Sequence, residues 1–469
     1  MRYTLKTTIR GVALMKKCFT LTLIPILLII AFMVGCQDHT STTNIAKIHS
    51  HSSQKEHHDK NSKPNKIKEE KTQKEQLLAQ AKVSAEQYDY QKSITLLKQS
   101  DISKDVDIQS AIDTYEKQMK NLVTWPDNSQ ISHLFFHSLI VDPSKAFDGD
   151  DMTQGYEDYM VTTNEFKKII NQLYEKGYVL LNLEDIAKLD KRGKMVNQDI
   201  KLPPGKKPMI LSQDDVSYYE YMKNDGFAKN LTLDANGNVT NTYVNEKGKA
   251  VQGAYDLVPI VDNFVKKHPD FSYKGAKGII SLTGYNGVLG YRTSESDYGP
   301  NSDEPNPNIK KDQQQAEKVA NALKKEGWRF ASHTWGHLNA KEVSLDHLKK
   351  DTSKWKKEVE PIVGPTDTII FAFGSDIGDW KQYSNDKYHY LKSQGFNYYA
   401  NVDASKAYWS QLGPDYFRQA RINVDGLRMR EALTGENNVL KQFFDVKQLF
   451  DSLRPTAKKL ILKGSKNNS

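Results

Sequence analysis

The chain has 469 residues, of which 38% are hydrophobic and 26% are charged. This composition excludes a protein that is disordered throughout, and the length permits one large domain with accessory segments. The formal charge of +8 depends largely on five basic residues in the N-terminal leader, so the remainder lacks the positive charge typical of nucleic-acid binding. The two cysteines, Cys18 and Cys36, also lie near the N-terminus, which excludes a disulfide framework or a cysteine zinc site in the rest of the chain.

Residues 1–35 have the pattern of a secretory signal peptide. Five basic residues precede an uncharged apolar stretch that runs from Cys18 to Cys36. The end of this stretch, Met33-Val34-Gly35-Cys36, resembles a lipoprotein signal, in which Cys36 is lipidated and becomes the new N-terminus, although Met33 stands where such signals usually have leucine. The alternative is an uncleaved membrane anchor, which the length of the stretch permits. Both interpretations place the rest of the chain at the cell membrane, on its extracytoplasmic side.

Two segments separate this leader from the main domain. Residues 36–69 are rich in Ser, Thr, Asn, Lys and His and have almost no apolar residues, so we expect a flexible tether. In residues 70–125, apolar residues recur near helical spacing, which predicts a small α-helical spacer. A histidine-rich stretch can also bind metal, and five histidines fall in the tether: His39, His49, His51, His57 and His58.

Residues 126–452 alternate strand-like with helix-like segments, and residues 453–469 are expected to form a tail. This alternation predicts an α/β fold with a parallel sheet and helical crossovers. Strands are predicted near 132–140, 178–182, 208–213, 277–283, 328–332, 368–373 and 396–401. Helices are predicted near 164–176, 257–268, 312–326, 344–359 and 384–394.

Two interruptions of this alternation are expected to be surface features. Residues 224–256 contain Asn-Gly and Lys-Gly turns flanked by alternating Thr and Val, which predicts an inserted β-hairpin. Because this hairpin closely follows one predicted strand end, it is placed to wall one side of a cleft there. Residues 285–308 are rich in Gly, Asn, Pro and Ser, which predicts a long loop.

Adjacent carboxylates stand at the end of one predicted strand. The apolar run 209–211, preceded by Pro208, predicts a short buried strand, and Asp214 and Asp215 follow it. Because side chains alternate along a strand, neighbouring aspartates share one pocket only where the chain turns into a loop, and catalytic residues concentrate in such loops. The alternative is a structural role, in which Asp215 caps a helix that begins at Val216.

Two histidines follow another predicted strand. Residues 327–332 lead directly into His333 and His337, whose spacing lets both imidazoles converge on one metal ion. This spacing alone is weak support, because exposed helices also place histidines four residues apart. Together with a carboxylate from the other strand end, however, two histidines form a facial ligand set with open positions, which suits a catalytic divalent ion.

These residues resemble those of the polysaccharide deacetylase family, carbohydrate esterase family four. The second family motif, His-Ser/Thr-x-x-His, matches residues 333–337, and the first, Thr-Phe-Asp-Asp, reads Ser212-Gln213-Asp214-Asp215 here. Residues 133–140 look like the strand that opens such domains, and residues 166–185 look like the helix and strand that follow it. The resemblance covers about residues 131–449. It implies a distorted, incomplete (β/α) barrel with its site at the carboxyl ends of the strands.

The resemblance also implies roles for the site residues. Asp215, His333 and His337 would hold a divalent ion, zinc by preference, with cobalt, nickel and manganese as alternatives. Asp214 would be the general base. In the loop 285–308, Tyr285, Tyr291 and Tyr298 could stack on sugar rings, although surface tyrosines are common in loops. Phe373 keeps the aromatic position of the third family motif and would also contact the sugar.

Two functional residues of the family are absent here. Its third motif supplies an arginine that orients the base, but the corresponding residues 368–374 contain none, and the usual histidine acid aligns with Val424. Valine cannot donate a proton. His137 is a candidate substitute, although a packed strand histidine paired with backbone is the structural alternative. Other polar residues expected at strand ends could also replace a missing partner, and the sequence does not choose among them: Asp376, Asp379, Asp403, Arg421 and Asp425.

The resemblance implies a metal-dependent hydrolase that removes N-acetyl groups from a polysaccharide containing N-acetylglucosamine, either peptidoglycan or poly-N-acetylglucosamine. The alternatives are a catalytically silent carbohydrate-binding or envelope scaffold lipoprotein, and an esterase that acts on O-acetylated glycans. The expected partners are polysaccharide and, through the lipid anchor, membrane. Nucleic acid is not expected as a partner, and the protein is expected to be a monomer.

Changing Cys36 to Ala tests the lipoprotein assignment. We expect the Cys36→Ala precursor to remain unlipidated and to keep its leader, because lipidation precedes cleavage in such signals. Mass spectrometry of the N-terminal peptide and membrane fractionation measure the two effects, and Cys18→Ala is the control that should be processed normally. Cleavage just before position 36 in the Cys36→Ala variant would show that the assignment is wrong.

Overall fold

Residues 62–455, which the computed structural model describes, begin with three helices. These are Ser62–Glu86, Tyr90–Lys98 and Val106–Lys120. The second and third begin after Asp89 and Asp105, whose carboxylates accept backbone N–H groups of the first turn. The helical segment predicted from apolar spacing is therefore confirmed. Its core is a cluster of its own: Ala81, Ala85, Tyr90, Ile94, Leu97, Ile108 and Ile112.

Parallel strands then form a closed barrel. In chain order we label them β1 (Ser132–Phe136), β2 (Tyr178–Leu180), β3 (Lys207–Gln213), β4 (Gly278–Leu282), β5 (Trp328–Ser332), β6 (Thr368–Ile370), β7 (Tyr398–Val402) and β8 (Phe417–Asn423). Seven of them pair in a ring in the order β1-β3-β4-β5-β6-β7-β8, and β8 pairs with β1 to close it. Strand β2 pairs with the first half of β3 outside this ring.

This ring confirms the predicted distorted (β/α) barrel, which has fewer strands than a full eight-stranded one. Its weakest junction is between β5 and β6, where a single residue pair, Ser332 and Ile369, joins the two strands. The barrel is therefore closed but irregular beside the strand end that leads into His333.

The barrel interior changes from apolar to polar along the strands. Near the amino ends, inward side chains pack into one cluster that includes Ile210, Ile279 and Ala331. Because side chains alternate, the next inward positions on these three strands are Ser212, Ser281 and His333. Polar groups therefore collect inside the barrel at the carboxyl ends of its strands.

Helices connect the strands and cover the outside of the barrel. Within residues 62–455, none of them combines the length and the apolar character that crossing a bilayer would require. The longer ones are Thr163–Glu175, Leu257–Lys267, Ile309–Lys325, Leu345–Glu358, Asp386–Ser393 and Gly426–Thr434. Short α-helices are Pro143–Ala146, Thr153–Tyr159, Leu183–Ile186, Glu295–Tyr298 and Glu360–Val363. Single 3₁₀ turns are Asn128–Gln130, Glu220–Met222, Pro269–Phe271, Ala372–Gly374, Val439–Gln442 and Val446–Gln448.

The remaining strands form small antiparallel sheets. The segment expected to hold a hairpin, 224–256, has two turns and three strands: Asn230–Leu233, Val239–Val244 and Ala250–Gly253. Val123–Thr124 pairs with Lys201–Leu202, and Ala187–Leu189 pairs with Met195–Asn197. Ser410–Leu412 pairs with the first half of β8.

Two parts of the domain differ from the sequence prediction. Strand β8 was absent from the predicted strands, because its residues read FRQARIN and their buried polar side chains hide the apolar pattern of a strand. The expected tail begins at residue 453, but Arg454 is buried. It forms an ion pair of 2.7 Å with Glu165 on the helix Thr163–Glu175. The ordered domain thus continues through this pair.

Candidate active site

Asp214 and Asp215 lie where β3 leaves the barrel. The backbone N–H of Asp214 donates to the carbonyl of Phe136 at 2.8 Å, which extends the pairing of β3 with β1 by one residue. Asp215 then has a φ of 60°, which turns the chain and lets the two side chains take different partners. Residues 216 and 217 form a turn, and the next helical element is the 3₁₀ turn Glu220–Met222. The alternative in which Asp215 caps a helix from Val216 is therefore wrong.

His333 and His337 lie in the loop after β5, not on a helix. The Nδ1 atom of His333 donates to the carbonyl of Ile370 at 2.8 Å, which leaves Nε2 as the nitrogen that can bind a metal ion. His337 has a φ of 52°. The carboxylate of Asp351, on the helix Leu345–Glu358, accepts the backbone N–H groups of Trp335 and Gly336, each at 2.7 Å, and so holds the loop between the two histidines.

Asp215, His333 and His337 come together as one ligand group. One ligand atom from each residue lies within 4.8 Å of the others, and Asp215 Oδ2 is 3.7 Å from His337 Nε2. Burial lowers the pKa of His337 to about 4, so its imidazole is neutral at pH 7 and available as a ligand. A carboxylate with two imidazoles is a donor set that fits a divalent transition metal. These residues can therefore hold a metal ion.

Asp214 is bound by Arg421, which projects from β8 into the barrel. The guanidinium donates from Nη1 to Oδ1 at 2.8 Å and from Nη2 to Oδ2 at 2.9 Å, and both side chains are buried. Burial alone would raise the pKa of Asp214, but the charge of Arg421, followed by that of His333, outweighs it and lowers the pKa to about 2. Asp214 is thus ionised and fixed in orientation.

A chain of hydrogen bonds continues from Arg421 toward the floor of the barrel. Arg421 Nη1 donates to Ser212 Oγ at 3.2 Å, and Ser212 Oγ lies 2.8 Å from His133 Nε2. His133 Nδ1 is 3.1 Å from Gln419 Oε1, and Gln419 donates to the carbonyl of Ile131. Burial, followed by the charge of Arg421, holds the pKa of His133 well below its usual value, so the imidazole is neutral. Asp214 is therefore supported from below by a fully buried polar network.

Asp215 has its own support, from Tyr219. The hydroxyl of Tyr219 donates to Asp215 Oδ1 at 2.6 Å and lies 2.7 Å from Thr283 Oγ1, which is 3.1 Å from Ser217 Oγ. Because an ionised carboxylate only accepts, each hydroxyl donates to the next group along this chain. Ser217 donates to Thr283, Thr283 donates to Tyr219, and Tyr219 donates to Asp215. Oδ1 is therefore occupied by Tyr219, and Oδ2 is left facing His337. Nothing in the sequence pattern indicated Tyr219.

The residues considered as substitutes for the missing motif groups have distinct places. Arg421 is the one that contacts Asp214, to which it donates two hydrogen bonds. Asp376 instead pairs with the buried Arg418, and Asp425 caps the helix Gly426–Thr434. Asp403 accepts the backbone N–H of Ser405, and the carbonyl of Asp379 accepts from Arg418.

His137 lies at the edge of the candidate site. Its Nδ1 atom is 3.1 Å from the carbonyl of Tyr159, as the backbone-paired alternative requires. It is nevertheless within electrostatic range of Asp214, Asp215 and Asp425. Hydrogen bonding through Nδ1 leaves Nε2 free to exchange a proton.

The two predicted sugar contacts lie on different sides of the ligand group. Phe373 has a φ of 58°, and its ring centroid is 4.4 Å from that of His337. Tyr285 stacks on Tyr219 with ring centroids 4.9 Å apart, so one of its faces is already covered by protein. Of the other loop tyrosines, Tyr298 is buried and Tyr291 packs against the core.

These features define a (β/α)-barrel protein with a candidate metal centre at the carboxyl ends of its strands. No family model and no curated protein matches the chain. Among solved structures, it is similar to the Streptococcus pyogenes deacetylase PplD in complex with acetate, at 14% identity over 69% of this chain and 100% of that one, with a TM-score of 0.37. So distant a likeness identifies neither a family nor a substrate for this chain.

Replacing Arg421 tests how much its ion pair with Asp214 contributes to the free energy of unfolding. We expect Arg421→Gln to lower the free energy of unfolding by about 3–5 kcal/mol, because it leaves a carboxylate buried without its partner. Lys310→Gln is the control: it removes an exposed pair with Glu295 and should cost less than about 1 kcal/mol. Urea unfolding measures both values. Equal losses in the two variants would show that the buried ion pair contributes no more than an exposed one.

The ion pair between Asp214 and Arg421 also predicts how the free energy of unfolding depends on pH. The pKa of Asp214 lies below its ordinary value of 3.8, at about 2, so ionised Asp214 contributes stability that is fully present above pH 3.8 and is lost as the pH falls toward 2. The Arg421→Gln variant should lose less stability than wild type as the pH falls from 3.8 toward 2, because it lacks the charge that lowers the pKa of Asp214.

Proposed function

We propose that the protein is a metal-dependent hydrolase that removes N-acetyl groups from a cell-surface polysaccharide containing N-acetylglucosamine. The proposal is carried by one arrangement, the ligand group of Asp215, His333 and His337 beside an ionised Asp214 that Arg421 holds in place. The motif resemblance of residues 212–215 and 333–337 to polysaccharide deacetylases supports the substrate class. Peptidoglycan and poly-N-acetylglucosamine both contain the required acetamide.

Asp215, His333 and His337 would hold the metal, for which zinc suits the mixed nitrogen and oxygen donors best. When bound, such an ion lowers the pKa of a coordinated water and polarises a carbonyl group. The contact of Tyr219 with Oδ1 directs Asp215 to present Oδ2, and the bond of His333 Nδ1 to Ile370 directs its Nε2 toward the same point. The protein thus sets the orientation of its ligands before a metal arrives.

Asp214 would accept the proton of the attacking water. It is ionised, and Arg421 occupies one lone pair on each of its oxygens, which leaves a further lone pair on each to take a proton. Its Oδ2 atom is 3.9 Å from His333 Nε2, which places the base beside the ligand group. A water between the two would lie within reach of this base.

His137 would return a proton to the departing amine. Its Nδ1 is engaged with the carbonyl of Tyr159, so Nε2 is the atom that would carry and release this proton. Addition of water to the amide and cleavage of its carbon–nitrogen bond then yield acetate and a free amino sugar. Val424, which stands where the family has its acid, is buried and has no proton to give.

We further propose that Tyr285 and Phe373 contribute to sugar binding and that lipidated Cys36 holds the protein at the membrane. Phe373 is an exposed ring against a metal-ligand candidate, which supports its role. Cys36 and the five histidines of the tether lie outside residues 62–455, so the anchor rests on the sequence pattern alone, and the end of the expected tether, residues 62–69, is helical.

The ligand group predicts about one bound divalent ion per chain. His333→Ala and His337→Ala should each lose most of it, and binding should weaken as the pH falls toward the pKa of His337, about 4, because protons then compete for this imidazole. Metal content after dialysis, with calorimetric titration, measures this. His347→Ala, at an exposed helix position, is the matched control. Tight binding retained by an Asp215→Ala, His333→Ala double variant would place the metal elsewhere.

Asp214 and Asp215 should respond differently to the same small change. Asp214→Asn keeps the shape of the side chain but removes the base, so we expect acetate release to fall by about 10²-fold or more with metal content unchanged. Asp215→Asn should weaken metal binding instead, with activity partly restored by excess metal. Acetate release from a panel of acetylated glycans, beside metal content, measures both.

Asp376→Asn is a control for the loss of a buried aspartate–arginine pair away from the site, and it should keep wild-type turnover per folded chain. Full activity with Asn at position 214 would overturn the mechanism. A wild-type protein that binds metal and glycan but releases no acetate would instead be the silent scaffold. Release from O-acetylated glycans alone would identify an esterase.

A further inference from the structure

A buried carboxylate outside the ligand group accepts hydrogen bonds from three separate parts of the chain. Asp256 caps one of the barrel helices and is fully buried. Its carboxylate accepts the backbone N–H of Leu257 at 2.8 Å, as a helix cap does, but it also accepts the backbone N–H of Leu139 at 2.9 Å. Gln213 Nε2 lies 2.9 and 3.0 Å from its two oxygens, and the hydroxyl of Tyr218 donates to Oδ2 at 2.7 Å. Asp256 therefore does more than cap its own helix.

Two contacts of this carboxylate reach the loop that carries the aspartates of the candidate site. We call residues 214–219 the aspartate loop. Gln213 directly precedes this loop, and Tyr218 lies next to Tyr219, whose hydroxyl donates to Asp215 at 2.6 Å. The buried carboxylate therefore holds one side chain just before the aspartate loop and one near its end.

The inserted three-stranded sheet adds a second contact to Tyr218. Asn241, on the middle strand of this sheet, is fully buried and donates from Nδ2 to the Tyr218 hydroxyl at 3.1 Å. The Oδ1 atom of Asn241 accepts the backbone N–H groups of Tyr255 at 3.1 Å and Asp256 at 2.8 Å. The Tyr218 hydroxyl therefore lies between Asn241, which donates to it, and Asp256, which accepts from it. The insertion is thus connected to the aspartate loop through one tyrosine.

The aspartate loop needs such contacts because its backbone is strained. Asp215 has a φ of 60° and Tyr218 has a φ of 47°. Residues other than glycine keep such values only where the surrounding structure maintains them. Tyr218 is held at its carbonyl by Arg292, at 2.6 Å, and at its buried hydroxyl from two sides. Loss of the hydroxyl contacts would therefore loosen the backbone that places Asp215 and Tyr219.

We propose that Asp256 and Asn241 are positioning residues for the metal centre. By fixing the Tyr218 hydroxyl, they hold the aspartate loop in the turn that presents Asp215 Oδ2 to His337, and so they raise the affinity of the ligand group for its metal ion. This inference rests on the metal binding in the proposed function, and it is independent of the substrate. It gives the inserted sheet a role in metal binding that the motifs do not indicate.

Tyr218→Phe removes only the hydroxyl and is the least disruptive test. We expect the full chain with this change to bind zinc about ten-fold more weakly than wild type, because groups that orient metal ligands change affinity by on the order of 10–100-fold. Competition titration with a zinc-binding dye measures the dissociation constant, after subtraction of the zinc that the Asp215→Ala, His333→Ala double variant still binds. Asp256→Asn should act in the same direction.

Hydrogen exchange in the metal-free protein gives a second readout. Backbone amides of the aspartate loop should exchange faster in Tyr218→Phe than in wild type, while exchange in β7 stays unchanged. Tyr388→Phe is the matched control. Tyr388 is buried, and its hydroxyl donates at 2.5 Å to Asp415, which precedes β8 at the amino ends of the barrel strands. This control should change neither zinc affinity nor exchange in the aspartate loop.

The outcomes separate this inference from the proposed function. Zinc affinity equal to wild type in a folded Tyr218→Phe variant would overturn the inference alone. If wild type binds zinc but releases no acetate from any glycan, the proposed function fails, and weaker zinc binding by Tyr218→Phe would still support the inference. A wild-type ligand group that binds no zinc would overturn both.

Discussion

The buried ion pair between Asp214 and Arg421 is the interaction around which the site is organised. Moving two charges out of water costs several kcal/mol per ion, and the cost is offset only when geometry and hydrogen bonding are good. Here both carboxylate oxygens are paired, Ser212 accepts a further N–H, and the guanidinium lies 4.0 Å from the centre of the Phe135 ring. The pair is possible because β3 and β8 are both neighbours of β1 in the closed ring. The ion pair that keeps Asp214 ionised therefore depends on closure of the barrel.

A second constraint is the backbone at the strand ends. Positive φ values, which non-glycine residues adopt at a cost of about 1–3 kcal/mol, occur at Asp215, Thr334, His337 and Phe373. All four lie in or beside the candidate site. The turn at Asp215 separates two adjacent aspartates, so that one pairs with Arg421 inside the barrel while the other faces the histidines. Such strain is maintained by the surrounding contacts, here from Tyr219 and Asp351.

The alternation of strand-like and helix-like segments predicted the parallel sheet, and the motif resemblance extended this prediction to a barrel. The ligand group was predictable because both of its halves follow apolar strands. The role of Arg421 depended on contacts between residues far apart in the chain. Strand β8 carries Arg418, Gln419 and Arg421 as buried residues, so its composition resembles an exposed segment. The family motif that carries an arginine aligns with residues 368–374, which contain none, whereas the arginine that contacts Asp214 lies on β8. Tyr219 was missed because a hydroxyl that contacts a carboxylate four residues earlier leaves no periodic signal.

The position of the proposed acid, His137, follows the same logic as that of Arg421. The histidine acid of the resembled family aligns with Val424, which directly follows β8. The backbone N–H of Val424 donates to the carbonyl of Phe135 at 2.9 Å, and β8 pairs with β1 through Asn423 and Phe135, so positions 424 and 137 lie close together on neighbouring strand ends. A histidine at 137 can therefore serve the same part of the site from the adjacent strand. In the proposed reaction, β8, β1 and β3 then supply Arg421, His137 and Asp214 for proton transfer, while the loops after β3 and β5 supply the ligands. The carboxyl ends of parallel strands meet at one edge of a barrel. A functional group can therefore come from either of two neighbouring strands and still reach the same part of the site.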